Sequence, residues 1–518
     1  MLSKMISYVV LGVDAYKVDV EVHVSNSANS VFNTVGLPDA AVKESKDRIR
    51  AALTESGYFM PVTHVTVNLA PADLRKEGPS LDLPMALGLL GALGKIDPTC
   101  TRGRAIAGEL GLDGAVRPVT GALCMAMGAR RDGIEELLVP AENAAEAAVV
   151  EGLRVIPVRT LRDAVNYLNG EDTIIPTQVD LQRVFDHATS YPVDFSEVRG
   201  QDGAKRAMEI AAAGGHNLLL MGPPGSGKTM LAKRLPSILP DMTLEESIET
   251  TKIHSIAGLV SAKESLVTMR PFRSPHHTVS NIALIGGGSI PRPGEVSLAH
   301  NGVLFLDEMP EFGRLVLEVL RQPLEDGSVN ISRSAMSLTF PARFILCGSC
   351  NPCPCGYFTD PTRACQCHSQ AVQKYRNRLS GPLLDRIDLH VDVPAVPVRE
   401  LSRAGAPAES SAVIRERVKA ARQRQNERYA HLPGIHCNAH LGSREQREFC
   451  PLDDEAREAL ETAMLTLGLS ARAFDRVIKV SRTIADLAGA EQIDIDHITE
   501  AISYRTLDRQ EGVLGPVG

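Results

Sequence analysis

The sequence predicts an α/β protein in three parts: an N-terminal α/β unit, a P-loop nucleotide-binding core and a helical C-terminal unit. Three observations predict it. Residues 222–229 read GPPGSGKT between an apolar run and a helical stretch. Residues 303–308, VLFLDE, are four apolar residues ending in two carboxylates. Beyond residue 412 the apolar residues recur at helical spacing, as at Leu460, Met464 and Leu467, then Phe474, Val477 and Ile478.

In chain order, residues 1–172 form the first unit. The start, residues 1–20, reads as a first β-strand: a short apolar stretch is followed at once by Asp14, Lys17 and Asp19, with no small-residue cleavage site. Residues 18–24 alternate apolar and polar, residues 40–52 are helical, 62–69 form a β-branched strand and 83–93 an apolar helix. Residues 137–140 and 155–158 are short strands. Residues 173–194, with Pro176 and Pro192, read as a linker. A second α/β unit spans 195–394, and residues 395–518 form the helical domain, entered through a Pro-, Gly- and Ser-containing stretch.

Composition narrows the function classes. The 518 residues carry a formal charge of −8, so any nucleic-acid contact is local rather than spread over the surface. No apolar run reaches the roughly 18–20 residues of a membrane helix, which points to a cytoplasmic protein without membrane association. In that compartment the ten cysteines are metal ligands or packed thiols rather than disulfides.

The chemistry begins at the P-loop, Gly222, Pro223, Pro224, Gly225, Ser226, Gly227, Lys228 and Thr229. Glycines let backbone N–H groups turn onto phosphates, and the helix that follows adds positive potential. Lys228 is the candidate for the β- and γ-phosphates of ATP, and Thr229 for Mg²⁺. Residues 303–308 read as the complementary Walker B strand, with Asp307 a second candidate Mg²⁺ holder and Glu308 the group that polarises the attacking water. Asn351, after an apolar strand at 344–347, either positions water at the γ-phosphate or caps a turn. Arg386 follows Leu383 and Leu384 and is a candidate finger on a neighbour's nucleotide; Arg472 opens a helix and can fold back on its own.

These elements, in this order, resemble an AAA+ ATPase. The strings 274–278 (SPHHT), 286–288 (GGG) and 291–295 (PRPGE) resemble the helix-2 insert of the magnesium-chelatase-like branch, and residues 312–340 its pre-sensor hairpin. With NPCPCGY at 351–357 and LSGPLLDRID at 379–388, the chain is similar over its length to the YifB/ComM family. The resemblance implies Asn351 as sensor 1, Arg386 as trans-acting finger, Arg472 as sensor 2, and Gly200 and Gln201 near adenine. It implies a homo-hexameric ring moving on DNA, with helicase or branch-migration activity as single strands are integrated into a chromosome. It also implies an N-terminal domain similar to the Lon protease fold (ribosomal S5 domain 2-like) and a C-terminal helical lid. Ser80, in EGPS, stands where the Lon nucleophile would, but Leu123 occupies the place expected for its lysine. A serine without a base is a poor nucleophile, so the domain is expected to lack peptidase activity, with Ser80 capping the helix after it.

Cys353, Cys355, Cys365 and Cys367 form CxC-x₉-CxC within the loop 350–368. Four thiolates suit a closed structural Zn²⁺ site, with Cys350 and His368 as alternates and a metal-free reduced cluster as the other reading. For DNA phosphates the candidates are Arg270, Arg273, His276, His277 and Arg333, set against a plain hydrogen-bonded turn at 276–277 and a solvated hairpin tip at 333. Two other functions compete: a metal-chelatase-type ATPase that remodels a protein partner, and an ATP-dependent protease, which the missing lysine disfavours.

Overall fold

The computed structural model describes residues 1–26, 30–60, 63–186, 191–262, 264–288, 291–333, 336–358, 360, 363–396, 408–432 and 434–505. Parts of the 173–194 and 395–411 stretches, the last thirteen residues and the side chain of Arg333 lie outside them. The chain divides into two compact units. The first comprises Met1–Ala188 with Thr243–Thr268 and Ser332–Thr339; the second holds the rest.

The first unit is built on a seven-stranded mixed sheet, ordered Val31–Val35, Thr63–Ala70, Asp14–Asn26, Leu2–Leu11, Arg104–Ile106, Glu136–Pro140, Arg154–Val158. Residues 1–20, expected to be one strand, are two. Gly12 sits at φ +62° and turns the chain, so that Leu2–Leu11 pairs antiparallel with Asp14–Asn26. Val18, Val20 and Val22 point to one face and are fully buried, as period-two alternation requires. The helix Asp82–Ala92 lies against that face and is buried all round. Its Gly88 permits the close approach, because a Cβ there would come within 2.7 Å of Val22 Cγ2.

The buried carboxylate of Asp82 ties this helix to Ala40–Glu55. It accepts from Arg48 Nε (2.6 Å), Arg48 Nη2 (3.0 Å) and Ser45 Oγ. A buried charge is tolerable only with such partners. Ser80 does not cap this helix. It lies in the turn Pro79–Leu81, the residue before the helix is Leu81, and no side chain caps the helix start; Gly78 and Pro79 set the entry geometry instead.

Leu123 is fully buried at the start of the helix Ala122–Arg131. It clusters with Val149 and with Leu266 and Ile248 from the segment Thr243–Thr268. The helix Leu244–Ile256 in that segment is further held by Glu146, which accepts from Leu123 N (2.9 Å) and Ser255 Oγ. Gly121 N donates to Ser255 O (3.3 Å). The linker stretch contributes the helix Leu181–Asp186, whose Leu181, Val184 and Phe185 pack on the same cluster.

The second unit holds a five-stranded parallel sheet ordered Phe272–Arg273, Val303–Leu306, Ile345–Cys350, Leu218–Met221, Leu389–Asp392. One hydrophobic core joins this sheet, the helix Lys228–Ile238 and the C-terminal helices Ser411–Tyr429, Asp454–Leu467 and Ala471–Ala488. Asp388 anchors the join: it pairs with Arg476 of Ala471–Ala488 (2.9 Å) and accepts from Asn217 N (3.0 Å). Burial opposes its ionisation, but Arg476, His216 and Asn217 outweigh that and hold the carboxyl far below the usual carboxylate range.

The packing at Leu123 makes a stability prediction. Leu123→Lys places an ammonium among Val149, Leu266 and Ile248, which should cost about 3 kcal/mol or more. Thermal denaturation should show a lowered transition, and an unchanged one would contradict the described burial.

Candidate functional site

Parallel strands carry their C-terminal ends to one edge, where loops bearing polar groups collect. The register here aligns Met221 with Cys350 and Leu306 with Gly348, so Gly222, Asp307 and Asn351 leave the sheet side by side. The P-loop turns through Gly225 and Gly227, at φ +80° and +90°, and the helix Lys228–Ile238 starts at Lys228.

Lys228 Nζ donates to Gly222 O (2.7 Å), Pro223 O (2.9 Å) and Asn351 Oδ1 (3.1 Å). Burial draws its ammonium below the ordinary lysine value. Thr229 Oγ1 donates to Asp307 Oδ2 (2.9 Å). The two residues expected to share Mg²⁺ are therefore already together. Thr229 and Asp307 are oxygen donors, and hard divalent cations take such ligands, so the set fits the ion. Gln201 Nε2 donates to Ser226 O (2.5 Å), placing Gly200 and Gln201 against the P-loop. Arg234 of the P-loop helix binds Asp194 O (2.8 Å) and Glu197, which holds the segment before Gln201 in place.

Ser349 was not legible as a site residue. The strand runs to Cys350 rather than ending at 347, so Ser349 is fully buried within it. Its Oγ donates to Asp307 Oδ1 (2.5 Å) and accepts from Glu308 N (3.0 Å). Glu308 has a left-handed backbone, φ +51°, which costs a non-glycine residue about 1–2 kcal/mol. Ser349 thus holds one Walker B carboxylate with its other oxygen toward Thr229, and holds the next residue in a strained conformation. The available signal was proximity: Ser349 lies two residues before Asn351, just past the apolar run 344–347.

Comparisons with known proteins place the chain in a family. Family profiles described as "Magnesium chelatase, subunit ChlI", "Subunit ChlI of Mg-chelatase" and "Magnesium chelatase, subunit ChlI C-terminal" match residues 194–401, 20–143 and 408–505. The chain is 45% identical over 502 residues to the competence protein ComM of Haemophilus influenzae, covering 96% of each chain. It is 44% identical over 501 residues to the uncharacterised protein YifB of Escherichia coli, again covering 96% of each. The chain belongs to the YifB/ComM family. Similarity to the magnesium-chelatase 38 kDa subunit of Cereibacter sphaeroides is lower, 27% identity over 180 residues, or 31% of this chain and 53% of that one.

In this YifB/ComM chain the arginines singled out by sequence stand as follows. Arg386 is mostly buried, ion-paired with Glu325, and donates to Pro382 O (2.5 Å). Arg472 is exposed and lies 3.7 Å from Asp385. Arg273 makes a two-bond pair with Glu295 (2.7 and 2.8 Å). Arg270 braces Pro240 O (2.5 Å) and Asn301 O (2.8 Å). His276 Nδ1 shares a hydrogen bond with Thr278 Oγ1 (2.9 Å), and His277 meets the Phe312 ring edge-on. Arg333 lies in the strand Ser328–Arg333, its side chain outside the described set.

The four cysteines converge. The sulfur atoms of Cys353, Cys355, Cys365 and Cys367 lie within 4.8 Å of one another, with Cys353–Cys365 at 3.7 Å and Cys355–Cys365 at 3.6 Å. Tetrahedral ligation with Zn–S near 2.3 Å needs sulfurs about 3.8 Å apart, so the cluster fits a metal such as zinc. Cys350 is not among the four; it lies buried in its strand, and burial pushes its thiol up to about 12. His368 instead precedes the helix Ser369–Arg376. The cysteine loop also touches the P-loop: a Cβ on Gly356 (φ +85°) would come within 2.4 Å of Pro224 Cδ.

Ser349→Ala removes one bond from Asp307 and one from Glu308. Loss of such positioning should lower the ATP hydrolysis rate by about tenfold while ADP affinity changes by less than about twofold. Steady-state ATPase assays and titration of a fluorescent ADP would check the two halves separately.

Proposed function

We propose that the chain is a ring-forming cytoplasmic ATPase that couples ATP hydrolysis to movement along DNA, acting as a helicase or branch-migration motor in integration of single-stranded DNA. The reading is carried by the Lys228–Asn351 and Thr229–Asp307 contacts at one sheet edge. The full-length similarity to a competence protein directs it toward DNA.

In this reading the P-loop amides and Lys228 hold the β- and γ-phosphates. Mg²⁺ at Thr229 and Asp307 would neutralise phosphate charge. Glu308 polarises water, and Asn351 orients it at the γ-phosphate. Gly200 and Gln201 border the adenine. Arg386 would act on the neighbouring subunit's nucleotide in a hexamer, which requires it to exchange Glu325 for a phosphate. Arg472, exposed at a helix start, would complete its own subunit's site. DNA phosphates would meet His276, His277 and Arg333, with Arg273 contributing only if Glu295 releases it. The N-terminal unit is read as a Lon-like fold without peptidase activity, since Leu123 supplies no base and is packed under the segment 243–268. The C-terminal helices are read as the lid.

A remodelling ATPase of the chelatase kind is the second reading, favoured by the local similarity to the 38 kDa subunit. Strand displacement on forked DNA with Mg²⁺ and ATP separates the two. The motor should displace strands, and Glu308→Gln should bind ATP and abolish displacement. ATP hydrolysis indifferent to DNA, with no displacement at any protein concentration, would refute the DNA motor.

The cysteine cluster is read as a structural Zn²⁺ site that braces the loop after Asn351. Elemental analysis should find zinc in the wild-type protein and little in the Cys355→Ser, Cys365→Ser double variant. Through the Gly356–Pro224 contact that variant should also weaken ATP binding.

A further inference from the structure

Beside the nucleotide site lies a cationic groove that none of these roles uses. In and just past the helix Ser369–Arg376, Gln370, Gln373, Lys374 and Asn377 stand at i, i+3, i+4 and i+7, and therefore on one face. They look onto the turn Met309–Glu311, which directly follows Glu308, and onto Arg314. The space between measures about 710 Å³ and is open to solvent. Its one carboxylate, Glu311, is bound by Arg378 (2.8 Å). Among the described residues no carboxylate pairs with Lys374 or Arg314, so the groove carries an excess of positive charge in a chain of net charge −8.

The groove is joined to the site. A second cavity of about 490 Å³ is bounded by Met221, Cys350 and Asn351 at the strand ends, and shares Pro310, Gln373 and Asn377 with the groove. Walls common to both lead from Asn351 to Lys374. One end reaches Asn351, whose Oδ1 accepts from Lys228 Nζ (3.1 Å); the other offers ammonium, guanidinium and amide donors.

We propose that this groove receives inorganic phosphate released by ATP hydrolysis and is its route out. The proposal rests on residues 222–229 holding ATP. In hydrolysis water oxygen bonds to the γ-phosphorus and the bond to the β,γ-bridging oxygen breaks. ADP keeps that electron pair, and the products are ADP, hydrogen phosphate and a proton. ADP remains on the P-loop, so the smaller product leaves on the side away from it, past Asn351. A dianion crossing between two cationic positions requires charge-assisted donors at both ends. Lys228 supplies the first; Lys374 and Arg314 supply the second, with the amides of Gln373 and Asn377 between.

The test uses the full-length protein and inorganic phosphate as product inhibitor. Lys374→Gln with Arg314→Gln changes only exposed side chains. The inhibition constant for phosphate should rise by about fivefold, since exposed charge-assisted contacts are individually modest. Phosphate release in a single turnover, followed with a phosphate-sensing fluorophore, should be altered, and Lys374→Arg should behave as wild type. Magnesium-ADP affinity should not change. Unaltered phosphate inhibition and release in the double variant would overturn the proposal. So would a loss of DNA affinity with phosphate inhibition intact, which would assign these cations to phosphodiesters. Failure of the wild-type chain to bind magnesium-ADP is a different result and would remove the ATP reading itself.

Discussion

The strand Ile345–Cys350 is the constraint on which the site depends. It pairs in parallel with both Leu218–Met221 and Val303–Leu306, and so sets the P-loop and the Walker B carboxylates on either side of Asn351. Asn217 fixes the other end of the arrangement. Its Oδ1 accepts from Leu346 N (2.8 Å), its backbone N donates to Asp388, and its Nδ2 donates to Arg386 O (3.1 Å). One asparagine thus registers three strands and also locates the backbone of the candidate finger. A one-residue slip would turn Ser349 to the opposite face of the sheet and dissolve its contact to Asp307.

Buried acids fasten the helices to this frame. Asp388 binds Arg476 and His216. Asp486 is fully buried and binds Arg428 (2.5 Å), Arg482 (3.1 Å) and Asn438 Nδ2 (2.8 Å). Isolated buried carboxylates would be prohibitively costly, so each can be satisfied only when the C-terminal helices are docked. A motion of those helices would reach Asp388 and hence Arg386, two residues before it. The sheet and the C-terminal helices therefore share a core and a set of buried ion pairs within the second unit.

The parts legible in the sequence are those encoded locally. A glycine-rich turn between an apolar strand and a helix is self-contained, and so are an apolar run ending in Asp307 and Glu308 and a CxC pair. The four cysteines and the Thr229–Asp307 pairing were anticipated for that reason. The extension of the strand through Gly348, Ser349 and Cys350 was not, because those residues have weak strand preference and are held by neighbours on both sides. Ser349 was hidden with it. The turn at Gly12 was passed over because it lies inside the short apolar stretch 8–13. The packing of 243–268 on Leu123 joins residues far apart in the chain, which no local pattern reports.

Leu123 serves the packing of residues 243–268 through both its backbone and its side chain. Its backbone N donates to Glu146, and Glu146 also receives Ser255 from the segment inserted between the P-loop helix and the Walker B strand. A lysine there would need water or a carboxylate at its head group; leucine needs only apolar neighbours, which Leu266 and Ile248 provide. The Leu123 side chain therefore forms part of the apolar seat for residues 243–268. The chain enters and leaves the first unit at residues 188, 243, 268, 332 and 339. Any displacement of residues 243–268 must either move that unit or break the Leu123 cluster.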